Sequence, residues 1–316
     1  MLDAAGHHQQ YIETNSVRLR TIVEGDGPLV ILLHGFPRCW YLWRHQIEPL
    51  KAAGFRVAVP DQRGYGASDC PSRIEDYNIL ELAADVVGIA DALGDEKFFL
   101  VGHDWGCMVS WYTALLYPHR LHCVMGLSVP FLPVSGAGIN PPGMDDYFWY
   151  IRYFQAPGVA EAEFEADLDR TFRFFNGQRN ADAVGGLRPR DATMFDGEPP
   201  PLSPAFTQED HAYYVRSFNE SGFRGPISWY RNIGRVPTLA PWLEGAKVQV
   251  PAWFLAGEKD PVLSFSDDSY NRQDANFADL RGKQMIADAG HWVQEEKPAE
   301  TTEAILKFLG DIRAAL

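Results

Sequence analysis

The sequence predicts an α/β fold in which a mostly parallel, twisted sheet is flanked by helices and carries an inserted helical lid. Short apolar runs alternate with longer segments whose apolar residues recur at helical spacing. Such alternation is typical of βαβ units and therefore of a parallel sheet. It stops near Pro130 and resumes near Lys247. We therefore predict a core domain from residues 1–129 and 247–316, with a helical lid, or cap, at 130–246.

The predicted elements follow the chain in this order. An antiparallel hairpin is expected first, around the turn residues Asn15 and Ser16, with strands at 11–14 and 18–23. Buried strands are then expected at residues 29–33, 56–60, 98–101, 123–127, 250–255 and 284–287. Helices are indicated by apolar residues on one face over 82–93, which Gly94 ends, and over 305–312.

The acidic composition restricts the partners of the chain. Lysine and arginine number 28 against 42 aspartate and glutamate residues, a net charge of -14. We therefore expect no binding to nucleic acid or to an anionic membrane surface. No run approaches the roughly 20 apolar residues of a membrane span, and the first residues resemble no secretory signal. These observations favour a cytoplasmic protein, and they leave its oligomeric state open.

Motifs for metals and nucleotide cofactors are missing from the sequence. The four cysteines form no CxxC pair, and no histidine or cysteine cluster has zinc spacing. No glycine-rich nucleotide-binding pattern occurs. We expect an enzyme without a metal or cofactor, whose chemistry depends on its own side chains.

Residues 102–106 (GHDWG) carry the strongest functional signal. They join a predicted strand to a predicted helix, and the pattern glycine, any residue, nucleophile, any residue, glycine is that of a nucleophile elbow. The nucleophile position holds Asp104, and no G-x-S-x-G occurs. A carboxylate can attack a saturated carbon directly and form an ester on its own side chain. The sequence therefore predicts opening of an epoxide or displacement of a halide.

An oxyanion hole and a general base are predicted around this nucleophile. Residues 34–37 (HGFP) follow a buried strand, so the backbone N–H groups of Phe36 and Trp105 are the expected oxyanion donors. His291 follows the last predicted strand and is the expected base, with Asp260 to orient it and Glu258 as the alternative acid. The strand ending at residue 127 is followed by no acid.

These motifs resemble, in order and spacing, those of the α/β-hydrolase-fold epoxide hydrolases, over nearly the whole chain. Segments 150–158 (YIRYFQAPG) and 223–232 (FRGPISWYRN) resemble two lid motifs of that family. The resemblance implies that Tyr150 and Tyr230 act on the epoxide oxygen, with Tyr153 as an alternative to Tyr150. A phenol is neutral at neutral pH and can donate to a forming alkoxide. The expected substrate is a small apolar epoxide contacting Phe36, Trp105, Trp292 and the two tyrosines.

Two departures from the family pattern and two rival functions remain open. Arg38 stands where the family often has an acid, and Cys107 stands where a small residue is usual. Arg38 puts in doubt a carboxylate-assisted water network at the site mouth. A haloalkane or haloacid dehalogenase would use the same aspartate nucleophile. A hydrolase-like small-ligand receptor without catalysis is the alternative of another class.

Overall fold

The computed structural model describes residues 6–131, 139, 141, 143–177, 188–265 and 268–316. Parts of the predicted lid, at 132–138, 140, 142 and 178–187, lie outside the described residues. One eight-stranded sheet has the order β1-β2-β4-β3-β5-β6-β7-β8. Its strands are β1 (Gln9–Thr14), β2 (Val17–Glu24), β3 (Leu29–Leu33), β4 (Arg56–Pro60), β5 (Phe98–His103), β6 (Leu121–Leu127), β7 (Ala252–Gly257) and β8 (Leu280–Ile286).

Pairing is antiparallel only where β2 joins β1 and β4, and from β4 through β8 all neighbours are parallel. The predicted hairpin and mostly parallel sheet are therefore confirmed. β3 and β5 lie inside the sheet and are buried along their whole length, which explains their continuous apolar runs. β8 begins earlier than predicted. It is an edge strand with mixed polar residues, so its apolar signal is short.

Helices flank the sheet and build the inserted segment. The α-helices among the described residues are α1 (Arg44–Ala52), α2 (Ile79–Leu93), α3 (Trp105–Leu116), α4 (Tyr150–Tyr153), α5 (Val159–Glu165), α6 (Leu168–Asn176), α7 (Gln208–Ser221), α8 (Arg224–Arg231), α9 (Val236–Leu239), α10 (Ser269–Arg272), α11 (Val293–Glu296) and α12 (Pro298–Arg313). Short 3-10 helices lie at Trp40–Trp43, Ile74–Tyr77, Pro118–Arg120, Ile233–Arg235, Pro241–Leu243, Pro261–Ser264 and Gln273–Asn276. Against the sheet, α2 packs on α3 and α1 packs on α12. Within the described ranges, no helix has the length and apolar character that a bilayer crossing requires.

The chain divides into two compact units. The first comprises residues 1–62, 79–133 and 242–316, and the second comprises residues 63–78 and 134–241. The first unit holds the sheet. The second holds α4 to α9 around a cluster of aromatic rings, in which Phe223 lies 4.6 Å from Phe218 and 4.9 Å from Phe164 between ring centroids. The domain boundaries at 129/130 and 246/247 stay a prediction.

Residues 63–78 belong to the second unit, whereas the predicted division puts them in the core domain. Their contacts with α8 explain the difference. The indole N–H of Trp229 donates to the carbonyl of Arg63 at 3.2 Å, and Arg224 donates to the carbonyl of Pro71 at 2.7 Å. A Cβ at Gly225 would lie 2.6 Å from the Cα of Gly64, so the two backbones touch. No sequence pattern marks these pairings.

Candidate active site

The nucleophile elbow lies between β5 and α3. Asp104 is the residue immediately before α3. Its backbone angles, φ 53° and ψ -120°, are a strained conformation for a residue other than glycine. The flanking glycines are required by space. A Cβ at Gly102 would lie 2.1 Å from the carbonyl oxygen of Gly106, and one at Gly106 would lie 2.3 Å from that of Leu33. The local sequence therefore forces one acidic side chain outward at the N-terminus of α3.

The loop after β3 holds the carboxylate of Asp104. The amide of Phe36 donates to Oδ1 of Asp104 at 2.7 Å, and the amide of Trp105 also hydrogen-bonds this carboxylate. A Cβ at Gly35 would lie 2.3 Å from the same Oδ1, so only glycine permits this approach. Burial raises the pKa of Asp104, against the opposing effects of His291 and the two amides. The amides predicted as the oxyanion hole thus bind the resting carboxylate.

Two further loops at the carboxyl edge of the sheet supply a histidine and an acid. Nδ1 of His291 lies 3.0 and 3.1 Å from the two carboxylate oxygens of Asp260. Nε2 of His291 lies 3.8 Å from Oδ2 of Asp104, beyond hydrogen-bonding distance. The alternative acid Glu258 is exposed, and its carboxylate accepts from the amide of Asp288. The structure therefore brings Asp260, rather than Glu258, to His291.

The surroundings of His291 favour its charged form. Burial alone would lower its pKa, but the charge and hydrogen bond of Asp260, with the charges of Asp104 and Glu296, raise the pKa of His291 above its ordinary value. Three carboxylates therefore act on one imidazole. A proton taken from water by Nε2 would be stabilised there.

Two residues that contact this histidine loop were missed by the sequence analysis. The hydroxyl of Ser128, directly after β6, lies 2.6 Å from Oδ2 of Asp260 and 2.8 Å from Nδ1 of His291. The carboxylate of Glu296 accepts from the amides on either side of His291, those of Gly290 at 2.7 Å and Trp292 at 2.9 Å. A search for an acid after β6 passes over a serine, and Glu296 lies in an ordinary helical segment.

Arg38, the departure from the family pattern, is fully buried beside the same loop. Its Nε lies 3.2 Å from Oε2 of Glu295, and Oε1 of Glu295 pairs with Arg44 at 2.5 Å. Its guanidinium stacks 3.7 Å from the centroid of Trp292. The carboxylate of Glu295 therefore balances the positive charge of Arg38. Arg38 also supports Trp292, whose ring centroid lies 4.5 Å from that of His291.

His34 and His103, inside the two motifs, brace loops in their neutral forms. Nε2 of His34 accepts from the amide of Gln62 at 3.0 Å, so its Nδ1–H donates to the carbonyl of Gly35 at 3.1 Å. Burial lowers the pKa of His34 to about 4. Nε2–H of His103 donates to the carbonyl of His291 at 2.8 Å, and burial lowers the pKa of His103 well below its usual value. His103 therefore links the elbow to the loop of the base.

The two predicted lid tyrosines are neighbours within the second unit. The rings of Tyr150, on α4, and Tyr230, on α8, lie 5.8 Å apart between centroids at an interplanar angle of 79°. Phe154 contacts both rings, at 5.6 and 4.9 Å. The hydroxyl of the alternative, Tyr153, donates to Oε2 of Glu163 at 2.6 Å. That bond occupies its donor, which favours Tyr150 as the partner of Tyr230.

The fold and this arrangement of nucleophile, acid and histidine define an α/β hydrolase, and comparison with known proteins agrees. Residues 28–298 match the family described as alpha/beta hydrolase fold. Epoxide hydrolase A of Mycobacterium tuberculosis is 41% identical over 95% of this chain and 97% of its own. The solved structure of epoxide hydrolase A from Mycobacterium thermoresistibile is 43% identical, covers 96% of this chain and 98% of its own, and has a TM-score of 0.90.

A third relative extends this similarity to a longer protein. Bifunctional epoxide hydrolase 2 of the pig, Sus scrofa, is 40% identical over 93% of this chain, which spans about half (53%) of that enzyme. The chain belongs to the epoxide hydrolase family of the α/β-hydrolase fold. These relatives do not favour the dehalogenase or the receptor considered from the sequence.

Proposed function

We propose that this protein adds water to an epoxide and releases a vicinal diol through a covalent ester on Asp104. The observation that carries the proposal is an aspartate at the nucleophile elbow, 3.8 Å from a histidine paired with Asp260. A serine nucleophile would need that histidine at hydrogen-bonding distance for its own deprotonation. A carboxylate does not, so the base serves the water of the second step.

In the first step, the epoxide alkylates Asp104. Its Oδ1 is bound by the amide of Phe36, which leaves Oδ2 as the attacking oxygen. A bond forms between Oδ2 and a ring carbon, while the bond between that carbon and the ring oxygen breaks. Tyr150 and Tyr230 donate hydrogen bonds to the ring oxygen, and one phenol gives the developing alkoxide its proton.

In the second step, water hydrolyses the ester. Nε2 of His291 takes a proton from water, and the resulting hydroxide attacks the carboxyl carbon of Asp104. The negative charge that develops on Oδ1 is stabilised by the amide of Phe36, which already binds that oxygen, and by the amide of Trp105, which hydrogen-bonds the same carboxylate. Collapse of the tetrahedral intermediate breaks the bond between the carboxyl carbon and Oδ2, and His291 gives its proton to the oxygen of the departing diol. The proton left on the Asp104 carboxyl group passes to the phenolate formed in the first step, which restores the carboxylate and both phenols.

The substrate side of the proposal is a small apolar epoxide. Phe36, Trp105 and Trp292 are the aromatic residues of the first unit that we assign to substrate contact, with Tyr150 and Tyr230 from the second. Large aromatic surfaces favour apolar or aryl groups over charged ones. We also infer a cytoplasmic location from the sequence composition.

The function is tested by comparing two substrates. We expect turnover of styrene oxide to the diol, and no release of bromide from 1-bromobutane at a comparable rate. Asp104→Ala should lose the epoxide activity while remaining folded. Bromide release without diol formation would make the protein a dehalogenase, and binding without any turnover would make it a receptor.

A further inference from the structure

Ser128 lies in an unusual backbone conformation at the carboxyl end of β6. It is fully buried and has φ 78°, in the left-handed region that residues other than glycine rarely adopt. Its amide donates to the carbonyl of Leu255 at 2.9 Å, in the neighbouring strand β7. This geometry holds its side chain where β6 and β7 end. This backbone conformation costs conformational free energy that a glycine would not incur. A serine at this position therefore suggests that its side chain has a role.

The hydroxyl of Ser128 bridges the acid and the base. Its oxygen lies 2.6 Å from Oδ2 of Asp260 and 2.8 Å from Nδ1 of His291. An ionised carboxylate can only accept, so the hydroxyl donates its proton to Asp260. The remaining lone pairs of the oxygen then face Nδ1 of His291 and can only accept from it. Both Ser128 and Asp260 therefore require the imidazole proton on Nδ1.

That arrangement fixes the tautomer that the second step uses. With its proton on Nδ1, His291 carries a lone pair on Nε2, the atom that lies nearest Asp104. Asp260 alone contacts Nδ1 with both oxygens, at 3.0 and 3.1 Å, which leaves the ring a choice of acceptors. The shorter contact to Ser128, at 2.8 Å, adds a third acceptor atom from a different residue. When His291 becomes charged, that acceptor also stabilises Nδ1–H.

We propose that Ser128 is a positioning residue for His291, which acts through the imidazole and serves the hydrolysis of the ester. The proposal rests on the proposed function, because it assumes an ester on Asp104. The first step needs no base, so loss of the hydroxyl should leave alkylation unchanged. Ester hydrolysis should slow by about tenfold, as expected for one hydrogen bond to a charged group.

The test separates the two steps by single-turnover kinetics with excess enzyme over styrene oxide. Epoxide consumption reports alkylation, and the decay of the mass-shifted Asp104 peptide reports hydrolysis. Ser128→Ala and Ser128→Gly are compared, because glycine tolerates the positive φ and keeps a folded protein available if alanine does not. Ser110→Ala is the control, since Ser110 is an equally buried serine whose hydroxyl donates to the carbonyl of Gly106 at 2.7 Å.

The expected result is slow hydrolysis with normal alkylation in the folded Ser128 variants, and wild-type rates for both steps in Ser110→Ala. Equal slowing of both steps, or hydrolysis at the wild-type rate in both Ser128 variants, would overturn the role of Ser128. Absence of an ester on Asp104 in the wild-type protein would instead refute the proposed function, so the two failures are distinguishable.

Discussion

At the scale of single residues, the exchange of a hydroxyl for a carboxylate nucleophile changes when the base is needed. Asp104 is held by two amides and needs no proton removed before it attacks. His291 stands 3.8 Å away from it and is surrounded by Asp260, Asp104 and Glu296, whose charges raise its pKa. Once Asp104 is esterified, one of those charges is gone.

This loss of charge predicts a pH dependence. His291 must be neutral to take a proton, so ester hydrolysis slows as pH falls through the pKa of His291. In the free enzyme that pKa is raised above 6.5, in part by Asp104. In the ester intermediate Asp104 is neutral, and the pKa of His291 should be lower.

The measurement compares two curves on the same protein. Proton NMR of the free enzyme follows the titration of His291, assigned by its disappearance in His291→Gln. Single-turnover hydrolysis of the ester gives the acid limb of the second step. We expect that limb at lower pH than the free-enzyme titration, and a limb at equal or higher pH would contradict the coupling of Asp104 to His291.

At the scale of elements, α4 and α8 are tied together so that Tyr150 and Tyr230 stay adjacent. The side-chain amide of Gln155, just after α4, donates from Nε2 to the carbonyl of Tyr230 at 3.2 Å. Arg231, in α8, donates from Nε to the carbonyl of Phe154 at 2.9 Å. Each helix thus provides a side chain that bonds the backbone of the other segment, beside the packing of the rings. Two phenols held in this way can act as a pair of donors.

The tyrosine pair carries a prediction about the first step. Tyr150→Phe or Tyr230→Phe should each slow alkylation by ~10²-fold, because one general-acid donor is lost while the other remains. The double variant should nearly abolish alkylation. Hydrolysis of an ester, once formed, should change little, since it needs no phenol.

Tyr153→Phe is the matched control for this series. It removes a phenol from the same helix, but one that donates to Glu163, and it should leave both steps near the wild-type rates. The measurement is single-turnover epoxide consumption together with decay of the ester. Undiminished epoxide turnover in the double variant would remove the lid tyrosines from the mechanism.

At the scale of the whole molecule, the sequence predicts best what is local. The elbow at 102–106 and the loop at 34–37 are contiguous, and their glycines are dictated by close backbone approach within the motif. The buried strands β3 and β5 have continuous apolar runs because they are buried along their whole length inside the sheet. The prediction for the edge strand β8 is less accurate, because Arg281, Lys283 and Gln284 interrupt its apolar residues.

Contacts between distant parts of the chain could not be predicted from one sequence. The hydroxyl of Ser128 contacts Asp260 and His291, which lie 132 and 163 positions further along the chain. Neither the residue type nor its place after β6 predicts these contacts. The pairing of Arg38 with Glu295 shows why a charge change in one motif leaves the loop intact. The grouping of residues 63–78 with α8 depends likewise on contacts that no local pattern records.

The central claim is that Asp104 forms the ester and that His291 is needed only to hydrolyse it. The most direct measurement mixes His291→Gln with styrene oxide, quenches the reaction, digests the protein and weighs the peptide that contains Asp104. The control is the double variant Asp104→Ala/His291→Gln, which should gain no mass. We predict a persistent, near-stoichiometric gain of one substrate mass on the Asp104 peptide of His291→Gln. An unmodified Asp104 peptide from folded His291→Gln, or an adduct on another residue, would contradict the account.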